Sequence, residues 1–494
     1  MRVVVALPHR DLSLTAVAPE HFELVDTARA FVDRALTPTA LLERAEKLDL
    51  PETAGSPRTS LMLRAAADLL ARPGGSLGSR LRAYGTALQA ISEPPSPVRL
   101  RLDDLDLSEG TTERSVDLLA SARAGTAPYT PELDAAAVTC RQATLARLWV
   151  EADQQLPAAL QLARSLDGAV KLELAGTFAL THRAALSTLG PFSKATFVDA
   201  PPQFQTRFEP FDSTRWSLHR DQAPTGAPWA GYVPLEAVCS PSALLKGGCR
   251  AAVVAFCEVG EDVLDDRGTR LPLAALREGA RRLLAAGVAV VGEWWLGAPG
   301  VTAEAVEATW RHLEEAPFFG KLAGLRVFHW AREREASSFG GRAVELLPIP
   351  EGHDLARSRP FRCEGTLDSA GLTEQIQKWA QILMERGALG PGRIAAAYLE
   401  QPATPPDGEG LRLDPDCALV QTPRRLDGSV GPGWYAVQLR TGKLLALDGK
   451  VASTLGVLRV PLLPAVAWPG WPEATRAKVA KMLVEKQVLQ EVRR

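Results

Sequence analysis

Residues Ala251–Pro317 read AAVVAFCEVGEDVLDDRGTRLPLAALREGARRLLAAGVAVVGEWWLGAPGVTAEAVEATWRHLEEAP, and the alternation within this run decides the fold class. Ala251–Phe256 and Val288–Trp295 are continuous apolar runs of strand length, as expected when both faces of a parallel sheet are covered. Leu273–Ala286 and Ala303–Glu315 repeat apolar residues at helical spacing. Strand, helix, strand, helix predicts an α/β architecture. A short helix at Pro241–Lys246 and a strand at Leu325–Trp330 extend the pattern over residues 235–335.

Upstream, Ala136–Thr139, Gln155–Leu166, Val170–Leu174 and His182–Leu189 give a second strand–helix alternation. Residues 1–135 add one clear strand at the N-terminus and helical segments such as Ser60–Ala71, with breaks at Pro73-Gly74-Gly75 and Pro94-Pro95-Ser96-Pro97. Residues 201–234 mix proline, aromatic and polar residues without a period and read as a linker. Downstream, a helix at Leu372–Arg386 precedes the Pro/Gly/acidic stretch Gln401–Gly410, a second linker. Three short strands follow, Ala418–Thr422, Trp434–Arg440 and Leu444–Asp448, with turns at Asp427-Gly428 and Thr441-Gly442. Helices are predicted at Gly449–Leu458 and Trp471–Leu489.

At 494 residues the chain is expected to form roughly three to four units. With 58 acidic against 56 basic side chains, its charge balance gives no long-range attraction for nucleic acid or an anionic membrane. Neither is an expected partner. Six scattered cysteines suit reduced thiols better than a disulfide framework. No apolar stretch approaches the ~20 residues that span a bilayer, and Met1–Pro8 reads as a strand instead of a signal peptide. A soluble, cytoplasmic protein is expected.

In order and spacing, Ala251–Pro317 resembles the C-terminal half of the radical SAM barrel in cobalamin-type maturases. There, a strand ending in Gly-Leu-Glu-Ser precedes "VLDxMxKG", a helix, "AGI" and a strand ending in "GxPGET". Leu244–Cys249 is similar to the "LxxAGC" before it. DQQLPAALQLARSLDGAVKLELAG, residues 153–176, resembles the same family's cobalamin-binding domain, with Leu102-Asp103-Asp104 and Asp117-Leu118-Leu119 fitting its preceding segment. The likeness covers roughly residues 97–335.

The departures decide what the resemblance implies. A radical SAM cluster needs Cys-x3-Cys-x2-Cys, three thiolates close together. Cys239, Cys249 and Cys257 stand ten and eight positions apart, and only about 45 residues separate the cobalamin-binding-like domain, taken to end at residue 200, from Leu244–Cys249, so the first half of the barrel is missing. The family's cobalamin-side Gly-Gly is Ala175-Gly176, whose added methyl opposes close approach of a ligand. Glu258 matches a cofactor-facing glutamate but is followed by Val259-Gly260; the alternative is a plain strand-end acid. Pro299-Gly300 keeps the family's turn while Val301 replaces its acid. Of Trp294-Trp295, one reads as core and the other as cover for a helix. The seven histidines show no metal-binding spacing, and there is neither a phosphate-binding Gly-x4-Gly-Lys-Ser/Thr loop nor a Gly-x-Ser-x-Gly elbow.

Residues 411–494 resemble the PqqD-like recognition element that binds leader peptides of ribosomally synthesised, post-translationally modified peptides (RiPPs). Trp434–Leu455, WYAVQLRTGKLLALDGKVASTL, and Trp471–Val492, WPEATRAKVAKMLVEKQVLQEV, carry the likeness. The family's middle helix is replaced by VPLLPAVAWPG, Val460–Gly470, whose prolines forbid a regular helix. The resemblance implies that Leu444, Leu445, Ala446, Leu447 and Asp448 form a free sheet edge that accepts an extended peptide as a fourth strand. Val479, Met482 and Lys486 of the last helix would line the groove beside it. The alternative is that Val479 and Met482 pack on the sheet and the lysines are solvated.

These readings combine into a cobalamin-binding-like α/β domain at 1–200, a linker at 201–234, a truncated radical SAM-like partial barrel at 235–350, a helical extension and linker at 351–408, and a winged-helix α+β RiPP recognition element at 409–494. The expected function is a non-catalytic partner that holds a precursor peptide by its leader and presents it to a separate RiPP-modifying enzyme in a hetero-oligomer, with no cofactor or metal. The alternatives are a degenerate enzyme using cobalamin or another cofactor and, less compatible with the acidic balance and the lack of an arginine-rich helix, a DNA-binding regulator.

Overall fold

The computed structural model describes all residues except 9–14, 17, 51–55, 73–76, 103, 125, 200–203, 206–214, 218–228, 316–321, 391–407, 428, 430 and 493–494. The break at Pro73–Gly75, most of the linker Gln401–Gly410, and Asp103, His9, His219 and Gly428 therefore lie outside the described residues. The chain forms two compact units. One contains Met1–Phe31 and Ser92–Glu400, the other Val32–Ile91 and Gln401–Arg494. This differs from the division read from composition, which left residues 32–91 in the first domain.

The first unit holds a five-stranded parallel sheet built from β1 (Arg2–Ala6), β2 (Glu23–Asp26), β3 (Leu145–Trp149), β4 (Lys171–Ala175) and β5 (Thr196–Val198), in the order β2-β1-β3-β4-β5. That is the 2-1-3-4-5 order of flavodoxin-like doubly wound sheets. Helix Leu156–Leu166 starts with a proline in its first turn, buries Leu156, Leu160 and Ala163, and ends at Asp167 in the left-handed region. The predicted strand Ala136–Thr139 is instead inside helix Thr130–Arg141. Pro131 pre-sets its first turn, the alanines favour it, and Val138 points outward with 55% of its surface exposed. The strand comes next in sequence, as β3.

A nine-stranded sheet lies in the same unit. Its parallel part is β6 (Arg215–Ser217), β7 (Trp229–Tyr232), β8 (Cys249–Val259), β9 (Ala289–Leu296) and β10 (Leu322–Val327), neighbours in the sheet being consecutive in the chain. Antiparallel strands flank this parallel part, Asp262–Asp265 and Arg270–Pro272 pairing beyond β8. Val254, Phe256, Val290, Trp294 and Leu296 pack with Leu276, Leu283, Val306 and Leu313 of the connecting helices. The segment 201–234, read as a linker, supplies β6 and the fully buried β7; WAGY is too short to stand out beside its prolines.

In the second unit β11 (Cys417–Thr422), β12 (Gly433–Gln438) and β13 (Lys443–Leu447) form an antiparallel sheet in the order β11-β12-β13. Helices Gly449–Leu455 and Glu473–Glu485 follow. The core joins Leu411, Leu413, Ala436, Leu455, Leu458, Trp468, Leu483 and Val488. Within Val460–Gly470 only the single turn Pro464–Ala467 is helical, as its prolines require. The predicted helix Trp471–Leu489 is shorter. It stops at Glu485, Gln487 takes a positive φ of 59°, and Leu489–Val492 pairs with Gly410–Leu413. Helices Pro57–Leu70 and Leu77–Ile91 belong to this unit as well.

Candidate functional site

Strand β13, KLLAL, is set by the tight connection from β12, in which Gly442 adopts φ 68° and donates its N–H to the Gln438 carbonyl at 2.8 Å. Alternation then sends Leu445 and Leu447 inward, where they join the core that also contains Val479. Leu444 and Ala446 point the other way, and Leu444 remains 37% exposed. Asp448 caps the next helix, accepting the Lys450 N–H at 2.8 Å. On the last helix Met482 is 40% exposed, and Lys486 is exposed at its C-terminal end. Of the eight residues singled out by sequence, the strand residues are contiguous on one edge and Val479 packs on the sheet beside them. Asp448 holds a helix end, while Met482 and Lys486 face solvent.

The two edges of this sheet are treated differently. Along β11, helix Pro57–Leu70 and the residues after it supply side chains to the strand backbone. Asp68 Oδ2 accepts the Leu419 N–H at 3.3 Å, and Arg72 donates to the Cys417 carbonyl at 2.7 Å. Arg72 and Arg459 also hold the Asp68 carboxylate, at 2.5 and 3.1 Å. Just before β11, Asp416 accepts from Ser79 Oγ at 2.8 Å and from Arg82 at 2.9 Å to each carboxylate oxygen. Sequence reasoning missed this arrangement, because an acid near a helix end and an arginine four positions on, just past it, carry no signal for a strand some 345 positions away. By contrast, β13 pairs only with β12 among the described residues. Side chains of Asp68 and Arg72 thus meet the backbone of one edge, and Leu444 and Ala446 of the opposite edge strand are exposed.

In the first unit, the residues suggested as a cofactor site are engaged by the protein itself. Cys249 and Cys257 both lie on β8, so eight residues of strand put them about 26 Å apart. Burial pushes the Cys249 thiol up to about 12. Glu258 is paired with Arg270 at 3.0 Å and Arg342 at 3.8 Å, the arrangement of a strand-end acid. Ala175 is fully buried in a cluster with Val4 and Trp149. Gly176 has φ 110°, and a Cβ there would sit 2.4 Å from the Val150 carbonyl oxygen, so its glycine serves a backbone crossing. At Pro299-Gly300 the turn is kept, Gly300 donating to Thr366 Oγ1 at 2.7 Å.

One polar group on the second sheet escaped the sequence reading. Ala255, Glu293 and Gly324 form a row across β8, β9 and β10. Glu293 is fully buried, and its carboxylate accepts from Tyr232 at 3.1 Å, Trp295 at 2.9 Å and Arg326 at 3.1 Å. Trp294 belongs to the core against Trp379, whereas Trp295 is only half-buried and donates to Glu293. A lone Glu inside the apolar run VVGEWW was the available signal. Among the described residues no three His, Cys, Asp or Glu side chains stand together in a metal-binding group, and no helix is long and apolar enough to cross a membrane. Comparison with protein-family models, curated proteins and solved structures finds no match to this chain.

Proposed function

We propose that the chain captures an extended peptide on the β13 edge and presents it to a separate modifying enzyme. The peptide we have in mind is the leader of a RiPP precursor. The observation that carries this reading is the asymmetry of the three-stranded sheet: Asp68 and Arg72 close the β11 edge, while β13 pairs on one side and exposes Leu444 and Ala446. An extended peptide adding to β13 gains main-chain hydrogen bonds, and Leu444 and Met482 offer apolar contacts. The resemblance of Trp434–Leu455 and Trp471–Val492 to PqqD-like elements points to the same ligand class. On this reading the first unit is a cobalamin-binding-like domain and half of a radical SAM-like barrel kept as a docking body, its thiols scattered over separate elements and along one strand.

Fluorescence polarisation with labelled synthetic leader peptides of RiPP precursors tests the reading. Saturable binding at about 1 µM or tighter is expected, and no saturation by about 100 µM overturns it. The buried Glu293 favours a second reading, an enzyme with its own cofactor, because barrel enzymes carry their chemistry towards the carboxyl ends of their strands. Corrinoid, flavin or iron–sulfur absorbance in the purified protein would select it.

A further inference from the structure

Four large apolar side chains stand open to solvent within ten residues of the second unit. Val457, Val460, Leu463 and Val466 keep 53%, 59%, 54% and 60% of their surface exposed. No other ten-residue stretch among the described residues exposes as many. Their spacing of three follows from the backbone. A tight 3-10 turn at Gly456–Arg459 leads into extended chain at Val460, with φ −113° and ψ 154°, and a single helical turn follows at Pro464–Ala467. Along this path Leu458, Ala467 and Trp468 enter the core while every third residue faces out. The strip is held firmly. Leu411 and Leu462 exchange backbone hydrogen bonds at 2.8 and 2.9 Å, and the Trp468 indole donates to Thr454 Oγ1 at 2.9 Å. A Cβ on Gly410 would sit 2.4 Å from the Leu462 carbonyl, so the two segments are in close backbone contact. Together the four side chains expose about 350 Å², as much as the largest apolar patch of an ordinary monomer, which is commonly functional.

We propose that this strip buries itself against the same strip of a second copy of the chain, forming a two-fold dimer. Charge selects that occupant. Residues 460–472, VPLLPAVAWPGWP, contain no charged side chain, and Arg459 before them is paired with Asp68 at 3.1 Å. A two-fold contact sets a surface against itself, so it requires a face without net charge. A membrane-binding segment instead combines Lys and Arg with Trp, Phe and Leu anchors, whereas three of these four residues are valine. The area is that of a modest dimer. Two strips remove about 700 Å² from water, and the adjoining Pro461, Ala465 and Pro469 bring the contact near the roughly 1,000 Å² that a specific interface needs. Peptide capture at β13 uses other residues and stands or falls separately.

The test uses the full chain. Sedimentation equilibrium between about 1 and 200 µM should show the mass rising from 53.0 kDa towards twice that value, with a dissociation constant of about 1–100 µM. A Val460→Asp/Leu463→Asp variant should weaken the dimer at least about tenfold. Val116→Asp/Val138→Asp, which alters two valines each 55% exposed on the first unit, should dimerise like the unmodified chain. Salt at about 0.5 M should leave the dimer intact. Association between unlike units would weaken instead, since the first carries 35 basic against 43 acidic side chains and the second 21 against 15. A monomer at about 200 µM, dissociation by salt, or an undiminished dimer in the folded strip variant overturns the proposal. Equal loss in the Val116/Val138 variant does so too. Sedimentation with equimolar phosphatidylcholine/phosphatidylserine vesicles, abolished by the strip substitutions, would assign the strip to lipid and also overturn it. Should the aspartate variant not fold, Val460→Ser/Leu463→Ser replaces it, and the concentration and salt series on the unmodified protein still decide.

Discussion

Replacing Asp416 by alanine should unlock the second unit, and the structure gives the size of the effect. The Asp416 side chain is 7% exposed and that of Arg82 15%, and the guanidinium reaches both carboxylate oxygens at 2.9 Å while Ser79 adds a third bond. Removing one partner of a buried pair leaves the other charge uncompensated, which costs about 3–5 kcal/mol. Because Arg82 keeps some contact with water, the lower end, about 3 kcal/mol, is expected for Asp416→Ala. Asp416→Asn retains an acceptor and should lose about 1–2 kcal/mol. For a unit of this size, about 3 kcal/mol corresponds to a fall in Tm of roughly 6–12 °C. Urea unfolding followed by tryptophan fluorescence measures the energy, and hydrogen exchange locates it. Both β11 and helix Leu77–Ile91, which carries Ser79 and Arg82, should loosen together, since the pair ties residues 334 positions apart. A loss below about 1 kcal/mol, or a loosened β11 beside an unchanged helix, would refute the claim that Val32–Ile91 and the last domain fold as one unit.

Further outcomes follow from other sites. Leu444→Ala with Met482→Ala removes two side chains exposed by 37% and 40%. If bound peptide covers that remainder, about 1–2 kcal/mol is at stake, so leader affinity should fall about 6- to 30-fold, as read by polarisation. Gly176→Ala forces a methyl 2.4 Å from the Val150 carbonyl oxygen at φ 110° and should cost at least about 2 kcal/mol, checked by thermal unfolding. Burial raises the thiol pKa of Cys140 to about 11 and of Cys249 and Cys417 to about 12. The thiolate is the reactive form, so at pH 8 roughly one Cys249 in ten thousand is ready to react, and the fraction rises tenfold per pH unit up to the pKa. Native protein at pH 8 should leave these three unlabelled by iodoacetamide on a timescale that labels them in urea, and fast native labelling would contradict their burial.

Much of the body was legible because local pattern and burial agree. β8 and β9 hold mostly apolar, largely buried runs, and helix Leu273–Ala285 shows its stripe in Leu276, Ala280 and Leu283. The β12–β13 hairpin is announced by Thr441-Gly442, and its edge position follows from being the last of three strands. Where the reading failed, the deciding forces were not local. AAVT resembles a strand until Pro131 and the exposure of Val138 are known. β7 is four buried residues among prolines, stabilised by pairing with β6 and β8. For the candidate site, the edge strand could be read from sequence but its contrast with β11 could not. That contrast depends on Asp68 and Arg72, brought to the strand by tertiary packing across most of the chain length. Val479, which the sequence left open between groove and sheet packing, is half-buried against the core shared with Leu445 and Leu447.

The account stands on the β13 edge, whose only strand partner among the described residues is β12, and main-chain amide signals report on it directly. With full-length protein and the synthetic leader, hydrogen exchange should slow across Leu444–Leu447 on adding peptide, while Ala418–Val420 on the helix-closed edge stays as it was. Protection on β11 with none on β13, or no protection on either edge at saturating leader, would contradict strand addition as the mode of capture.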